Sequence, residues 1–254
     1  MAGAANVIMQ LARLPVGHGV VESVVDSGNL YKHPVKRTRT TLAYLITAID
    51  GTPEERLLLR EQINRVHAQV RSRESSPVAY NAFDTDLQLW VAACLYRGVE
   101  DTHTSLYGEL DPATAEALYQ DGKRLGTTLQ VTEDVWPSDR AAFEAYWTKA
   151  VELIEIDNTT RQYLRGIAAL TFLPRPVSLL LGPLNRFLTT GFLPAPFREQ
   201  MRLAWTTRHQ RRFDALVRVI AAINRRMPRR LREFPFNLVL WDTRRRMRTG
   251  RSVI

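Results

Sequence analysis

The segment that begins at Thr52 carries the clearest folding signal in this sequence, and that signal is helical. Thr52 is a good N-cap residue, Pro53 suits the first helical position, and Glu55 completes a capping box. Apolar residues then recur at helical spacing: Leu59, Ile63, Val66 and Val70. The pattern predicts an amphipathic helix from Pro53 to about Arg71.

Other segments carry helix signals of the same kind, whereas strand signals are nearly absent. Alternation of apolar and polar residues is limited to the short stretch 127–131, and no repeat or low-complexity tract divides the chain. The predicted helices cover residues 39–49 and 53–71, a segment capped by Asp84, and residues 112–126, 138–154, 159–172, 176–191 and 196–226. We therefore expect an all-α fold, a single globular domain of about eight or more helices.

Composition fits one large domain of ordinary soluble type. The chain has 254 residues, of which 45% are hydrophobic and 24% charged. The single cysteine, Cys94, excludes an intramolecular disulfide and is compatible with a reducing compartment. The first residues lack a basic leader and a convincing cleavage site, so we expect a cytoplasmic protein.

The most apolar stretch of the sequence runs from Val177 to Leu193. Pro183, Asn185 and Arg186 interrupt it, whereas a bilayer span needs roughly 20 mostly apolar residues. We therefore predict that this stretch is a buried helix pair and not a membrane span.

One histidine, His67, lies four residues after Ile63 and shares the apolar stripe of its helix. A polar ring in a core needs a partner, which can be a carbonyl, a carboxylate or a metal. Taken alone, such a residue is more often an ordinary core histidine than a ligand. The other histidines are scattered along the chain, so a single-ligand haem suits the pattern better than zinc or non-haem iron. Cys94 is not a good candidate ligand, since nothing near it marks an electropositive exposed site.

Arg37 and Thr41 stand four residues apart, so they face the same way when helical. Beside a haem, such an arginine could pair with a propionate or polarise dioxygen, and the threonine could donate a hydrogen bond. The residues alone favour a simpler interpretation, in which Arg37 is a solvated side chain near a helix start.

Positive charge is concentrated in the last quarter of the chain. From Pro196 onward there are 16 Arg, no Lys and 4 acidic residues, a balance of +12, so the preceding residues carry −3 of the net +9. The last arginines form two clusters: Arg225, Arg226, Arg229, Arg230 and Arg232, then Arg244, Arg245, Arg246, Arg248 and Arg251. We interpret them first as a solvated or haem-propionate-pairing face and second as a contact with an anionic membrane surface. Nucleic acid is the least favoured partner, because neither a zinc knuckle nor an RRM-type motif is present.

Five stretches of the sequence, taken in order, resemble a known family. They are NVIMQLARLPVGHGVVES, HPVKRTRTTLAYLITAIDGTPEE, INRVHAQVRS, YNAFDTDLQLWV and TGFLPAPFREQMRLAW. The resemblance is to the MpaB/rubber-oxygenase family, which includes the latex-clearing proteins and the oxygenase of mycophenolic acid biosynthesis, and it extends from about Asn6 to Trp205. It implies an all-α fold holding a b-type haem that activates dioxygen to cleave an isoprenoid double bond.

The resemblance also implies roles for individual residues. His67 falls at the position of the proximal iron ligand, and Arg37 and Thr41 fall on the distal side of the haem. Glu22 lies near the position of an acidic residue that acts as a base in the latex enzymes. Trp90 is a candidate cofactor contact. With Tyr44 and Ile63 it could also line the substrate slot, although each of these three is individually more typical of ordinary core.

Two further positions depart from the family pattern. The latex-clearing branch carries a lysine where this chain has Thr40, and many relatives carry a histidine where this chain has Ala92, two residues after Trp90. These departures leave the reaction open. Our leading hypothesis is a haem b oxygenase that oxidises a hydrophobic isoprenoid or lipid-like substrate with dioxygen. The alternatives are a non-catalytic helical protein that binds haem or an apolar ligand, and a membrane-surface or nucleic-acid adaptor. The predicted organisation is a helical haem domain at residues 1–227 and a partly packed Arg-rich tail at 228–254.

Overall fold

Helices form all the regular structure in residues 2–254, the part of the chain that the computed structural model describes. The α-helices are α1 (Gly3–Leu11), α2 (Leu14–Val21), α3 (Pro34–Asp50), α4 (Pro53–His67), α5 (Thr85–Tyr107), α6 (Pro112–Gly122), α7 (Arg124–Thr127), α8 (Arg140–Glu152), α9 (Asn158–Ala168), α10 (Arg175–Phe192), α11 (Ala195–Gln200), α12 (Thr207–Arg226), α13 (Arg229–Arg232) and α14 (Phe236–Arg248). A 3₁₀ turn occupies Asp26–Gly28. The all-α prediction is confirmed. The alternating stretch 127–131 forms no strand, and the one extended contact among the described residues is a bridge between Arg71 and Asn81.

Several helices begin where local capping chemistry predicts. The Thr52 hydroxyl accepts a hydrogen bond from the Glu55 backbone N–H, and the Glu55 carboxylate accepts one from the Thr52 backbone N–H. Asp84 caps α5 in the predicted place. The cap of α8 is Asp139 rather than the predicted Ser138. Helix starts are therefore set largely by their own first turn.

Three predicted helix bounds are wrong, and two of them concern helix starts that carry a local signal of their own, Pro34 and the Thr206 cap. Helix α3 begins at Pro34, five residues before the predicted start, so Arg37 is helical. Helix α4 ends at His67 and not near Arg71. The predicted helix 196–226 is two helices, α11 and α12, and the second has its own capping box at Thr206.

Helix α5 runs between two hydrophobic clusters. Trp90 and Cys94 on one side of α5 contact a cluster built from α1, α9 and the α10–α12 region. Tyr96 on the other side joins an aromatic cluster with Tyr119 and Phe143. Since Cys94 is completely buried and burial raises its thiol pKa well above the ordinary value, it behaves as a small apolar residue.

A third cluster joins the C-terminal region to α3 and α4. Val239 of α14 and Val253 are buried in it together with Leu59. The Gln62 side-chain oxygen accepts a hydrogen bond of 2.7 Å from the Val253 backbone N–H, and Arg244 donates one of 2.8 Å to the Glu55 carboxylate. Helix α14 and the C-terminal residues therefore pack against both α3 and α4. The predicted boundary at residue 227 stays a prediction.

The prediction of a buried helix pair for the Val177–Leu193 stretch is wrong. The stretch forms one helix, α10, which continues through Pro183, and the leucines of its first half face solvent. That half packs through small residues instead, so apolar composition did not mark its buried face, whereas the second half packs Phe192 on the core. Among the described residues, no helix has the length and apolar character needed to cross a bilayer.

Candidate active site

His67 ends α4, and its imidazole is half-buried with no hydrogen bond to either ring nitrogen among residues 2–254. Nδ1 is shielded from solvent. The edge of Phe83 packs against the ring, with centroids 6.3 Å apart and planes inclined by 76°. A buried polar atom without a partner is expensive, so His67 is the residue here best suited to bind a metal or cofactor.

The protonation state of His67 suits that role. Burial lowers the pKa of the imidazole to about 4, and the positive charge of Arg37 lowers it further. The ring is therefore neutral near pH 7, and a ring nitrogen keeps its lone pair. Among the described residues, no group of three or more His, Cys, Asp or Glu side chains is arranged to hold a metal ion.

Arg37 lies on α3, in electrostatic contact with His67. Its side chain is exposed, yet burial lowers the pKa of the guanidinium. The guanidinium is therefore partly surrounded by protein while it stays accessible to solvent. Tyr163 of α9 lies close enough to Arg37 to influence its pKa.

Thr41 follows Arg37 by one helical turn on α3, as the spacing predicts. Its hydroxyl donates a hydrogen bond of 2.9 Å to the Arg37 carbonyl oxygen, so in this rotamer it can only accept a bond from a ligand. Thr40 is buried and donates to the same carbonyl at 3.0 Å. The position that carries lysine in the latex-clearing branch is therefore a neutral hydroxyl here, and Arg37 is the cation that acts on His67.

Glu22 lies at the C-terminus of α2, in a polar cluster beside the segment that follows His67. It accepts hydrogen bonds from His18 Nδ1 (2.6 Å), Ser76 (2.6 Å) and the Tyr80 hydroxyl (3.1 Å). Burial raises the pKa of the Glu22 carboxyl, but these three bonds outweigh it and the net pKa is lowered. Glu22 is consequently a weaker base than a free glutamate, and it anchors the segment after His67.

His18 links the same cluster to α9. Its Nε2 lies 3.0 Å from the Asp157 carboxylate, and Asp157 also caps α9. Burial lowers the pKa of His18, yet hydrogen bonds to Glu22 and Asp157 outweigh burial and raise it overall. The His18-x-x-x-Glu22 spacing was the sequence signal that could have revealed this pair, since residues four apart in a helix are neighbours.

Trp90 lies in the core and makes no described contact with His67. Its ring stacks on Trp147 at 5.4 Å and on Phe197 at 6.3 Å, and the Arg13 guanidinium lies 5.0 Å from its centroid. The indole N–H donates to the Gln10 carbonyl oxygen at 3.0 Å. Its cofactor contact stays a prediction. Tyr44, also considered for the substrate slot, is enclosed and donates from its hydroxyl to the Leu125 carbonyl oxygen at 2.5 Å.

A chain of side-chain amides holds α4 near its C-terminus. Gln130 donates to Asn64 of α4 at 2.5 Å, and Gln88 of α5 donates to Gln130 at 2.5 Å and to the Ala82 carbonyl oxygen at 2.6 Å. Asn64 lies one turn before His67. The amide chain therefore positions the turn of helix that carries His67, although nothing in the sequence pattern singled out these residues.

Two surface cavities lie outside the immediate surroundings of His67. One, of about 190 Å³, is lined by Glu22, Val70 and Tyr80 beside the segment that follows His67. The other, of about 620 Å³, is lined by Arg97, Asp101 and residues of α10 and α12. Burial raises the pKa of Asp101 to about 6. Neither cavity brings His67 and Arg37 together.

Comparison with known proteins decides the family. Residues 1–222 match the catalytic domain described as ER-bound oxygenase mpaB/B′/Rubber oxygenase. The chain belongs to this MpaB/rubber oxygenase family. The matched range contains Glu22, Arg37, Thr41, His67 and Trp90, and it ends before α13 and α14. The resemblance seen in the sequence is therefore confirmed. The match also supports the role of an oxygenase catalytic domain.

Two mycobacterial proteins are similar in sequence to this MpaB/rubber oxygenase family member over nearly their whole length. They are the uncharacterized proteins Rv2237 of Mycobacterium tuberculosis and Mb2261 of Mycobacterium bovis, each 55% identical over 251 residues, which is 99% of this chain and 98% of theirs. No solved structure matches the chain.

Proposed function

We propose that this MpaB/rubber oxygenase family member is a haem b-dependent oxygenase that oxidises a hydrophobic, isoprenoid or lipid-like substrate with dioxygen. The observation that carries the proposal is the His67 imidazole, which is neutral, shielded and free of hydrogen bonds. A haem iron needs one good axial ligand from the protein, and neutral imidazole is the commonest. The bound haem would supply the activation of dioxygen.

The residues around His67 fit such a group. The unpartnered Nδ1 of His67 shows that the described protein atoms do not satisfy this ring. Arg37 is accessible although protein surrounds it, which is the environment of a side chain on the wall of a cofactor slot. Its guanidinium could pair with a haem propionate or stabilise negative charge that develops during the oxidation, and such contacts are strongest where water is excluded.

The remaining polar groups have more limited roles. Thr41 can accept a hydrogen bond beside Arg37, because its proton is already bound to the Arg37 carbonyl. Glu22 holds the segment after His67, and its lowered pKa disfavours a role as the base. The substrate class rests on family membership, since the family includes a rubber oxygenase.

The absorption spectrum of the purified protein tests the proposal. We expect a Soret band after expression with a haem supply, a shift on reduction with carbon monoxide, and loss of the band in His67→Ala. His103→Ala is the matched control, because His103 also has a buried Nδ1 without a partner and lies elsewhere, on α5. That variant should keep the band.

The same preparation separates an enzyme from a binder. Oxygen consumption with polyprenyl or unsaturated lipid substrates should be observed in the wild type and should fall in Thr41→Val without loss of the Soret band. Absence of haem after reconstitution with haemin would overturn the proposal. A stable Soret band with no oxygen consumption on any of these substrates would identify a non-catalytic haem protein instead.

A further inference from the structure

The first half of helix α10 turns its small and polar residues inward and exposes its large apolar ones, whereas Phe187, Leu188 and Phe192 in the second half pack on the core. Ser178 donates a hydrogen bond of 3.0 Å to the Ala169 carbonyl oxygen at the end of α9, and Asn185 donates one of 2.9 Å to the Ala168 carbonyl oxygen. Gly182 is buried between them. The inward face of this part of α10 is therefore held by polar contacts to the backbone at the end of α9, the reverse of the usual amphipathic arrangement.

The Ala169 backbone approaches Gly182 so closely that α10 is fixed in this orientation. A Cβ atom added at Gly182 would lie 2.5 Å from the Ala169 carbonyl oxygen, a contact that only glycine avoids. Helix α10 cannot rotate about its axis to bury its leucines without placing a larger side chain against that backbone. The outward position of the leucines is consequently built into the packing of α10.

The outward face is a contiguous apolar surface. Its members share high exposure and lie within about two turns of helix. They are Val177 (37%), Leu179 (69%), Leu180 (78%), Leu181 (46%) and Leu184 (52%). Contiguous exposed leucines of this kind mark a surface that meets a membrane or another protein.

The charges around this face identify the partner. Helix α10 contains no Asp or Glu and two Arg, Arg175 and Arg186. Arg175 is the first residue of α10 and Arg186 follows Leu184 by two residues, so the two arginines bracket the apolar residues, and both are exposed. An apolar face flanked by arginine and free of carboxylates is complementary to a bilayer with anionic headgroups.

We propose that α10 docks on an anionic membrane surface, with its leucines in the acyl boundary and Arg175 and Arg186 against the headgroups. A second copy of the chain fits this face less well. Antiparallel pairing of two α10 helices would bring Arg175 of one copy beside Arg186 of the other, and like charges repel. This inference does not depend on the proposed haem chemistry.

Docking through α10 orients the candidate active site. Phe172, in the connection between α9 and α10, contacts the Tyr31 ring edge-on at 6.2 Å, and Tyr31 contacts the Tyr163 ring at 5.3 Å. Tyr163 lies close enough to Arg37 to influence its pKa. A membrane-bound α10 therefore places this aromatic group, and Arg37 beside it, near the bilayer, where an apolar substrate would be dissolved.

Vesicle flotation of the full chain tests the docking. The protein is mixed with vesicles of phosphatidylcholine, alone or with phosphatidylglycerol, at low and high salt. We expect binding to the mixed vesicles that weakens with salt, and about a tenfold loss of partitioning in L180S/L184S, since each leucine contributes substantial transfer free energy. The matched control is L57S/L153S, which removes two leucines that are similarly exposed, at 58% and 63%, on other surfaces.

A second pair of variants separates α10 from the Arg-rich end. R175Q/R186Q should reduce binding to the anionic vesicles, whereas R230Q/R232Q, which removes the same charge from the exposed tail, should not. Circular dichroism checks that each variant is folded. Equal binding of wild type and L180S/L184S, or loss of binding in R230Q/R232Q alone, would overturn the proposal. A wild-type dimer that L180S/L184S dissociates, with no vesicle binding, would assign the face to a second copy.

Discussion

Arg37 and His67 lie 30 residues apart on two different helices, and the charge of Arg37 lowers the pKa of the His67 imidazole. The pair combines a fixed cation with a neutral ring nitrogen. Helix α14 packs against α3, where its Asp242 lies near Arg39, so the position of α3 and of Arg37 on it depends on the C-terminal region as well.

Removal of the Arg37 charge should raise the pKa of His67. In the cofactor-free protein that pKa is about 4, chiefly because the ring is buried and secondarily because of Arg37. Arg37→Met removes the repulsion of the protonated ring, so the pKa should rise while staying below the ordinary value of 6.5. Imidazole chemical shifts followed against pH give the measurement. Arg39→Met is the control, because Arg39 lies near Asp242 of α14, and its His67 titration should match that of the wild type.

His18 should stabilise the fold in a limited pH range. Its pKa is raised above 6.5 in the folded protein, so its contribution is complete below that value and is lost as pH rises through the raised pKa. The pKa values of Glu22 and Asp157 are lowered from 4.5 and 3.8, so their contributions are lost as pH falls. The cluster is therefore most stabilising between about pH 4.5 and 6.5.

His18→Gln tests this pH range. The loss of free energy of unfolding, measured by urea denaturation, should be roughly 1.5–3 kcal/mol inside that window, the usual effect of losing a hydrogen bond to a charged group. This loss of free energy of unfolding should become smaller at pH values well above 6.5. His33→Gln removes an exposed pair with Asp26 and should have a much smaller effect, since surface ion pairs contribute little to stability. A His18 effect that stays constant with pH would contradict this account.

Trp90 should behave as a core residue. Trp90→Ala should lower the free energy of unfolding by roughly 3–5 kcal/mol, because it leaves a cavity in a stacked aromatic core. Trp90→Phe retains most of the stacking and should cost less. If haem is bound as proposed, Trp90→Phe should keep the Soret maximum of the wild type. A shifted maximum would show that Trp90 contacts the cofactor after all.

Val253 should contribute to the stability of the fold although it lies near the end of the chain. It is completely buried against α3 and α4. Val253→Asp places a charge in that cluster and should lower the thermal unfolding midpoint by several degrees or more, since a buried unpaired charge is costly. Arg251→Asp, at an exposed neighbouring position, should leave the midpoint nearly unchanged. Equal effects would show that the C-terminal segment is not docked as described.

Local signals in the sequence predicted helix starts better than helix ends. The cap at Thr52 depends on four consecutive residues, so the start of α4 could be predicted from the sequence. The end of α4 at His67 depends on a remote segment instead, because the Ser72 backbone N–H donates to the Tyr80 carbonyl oxygen and the Ala82 N–H to that of Val70. Such pairings have no local signature.

The same limit applies to the candidate site: relations within one helix were predictable, and relations between helices were not. Arg37 and Thr41 share a helix, and their spacing is enough to place them on one face. Tyr163 lies 126 residues beyond Arg37, so only the fold brings the two together. The leucines of α10 were misinterpreted because hydropathy does not tell which face of a helix packs, and Gly182 rather than Leu180 sets that face.

Because Cys94 is completely buried, the reactivity of its thiol reports local opening of the helices around it. It is the single thiol in the sequence, it is shielded within α5, and its thiolate form is strongly disfavoured. An aromatic disulfide reagent can therefore label only molecules in which elements packed around Cys94 have separated from α5. The labelling rate counts those molecules directly, without any added dye or engineered tag.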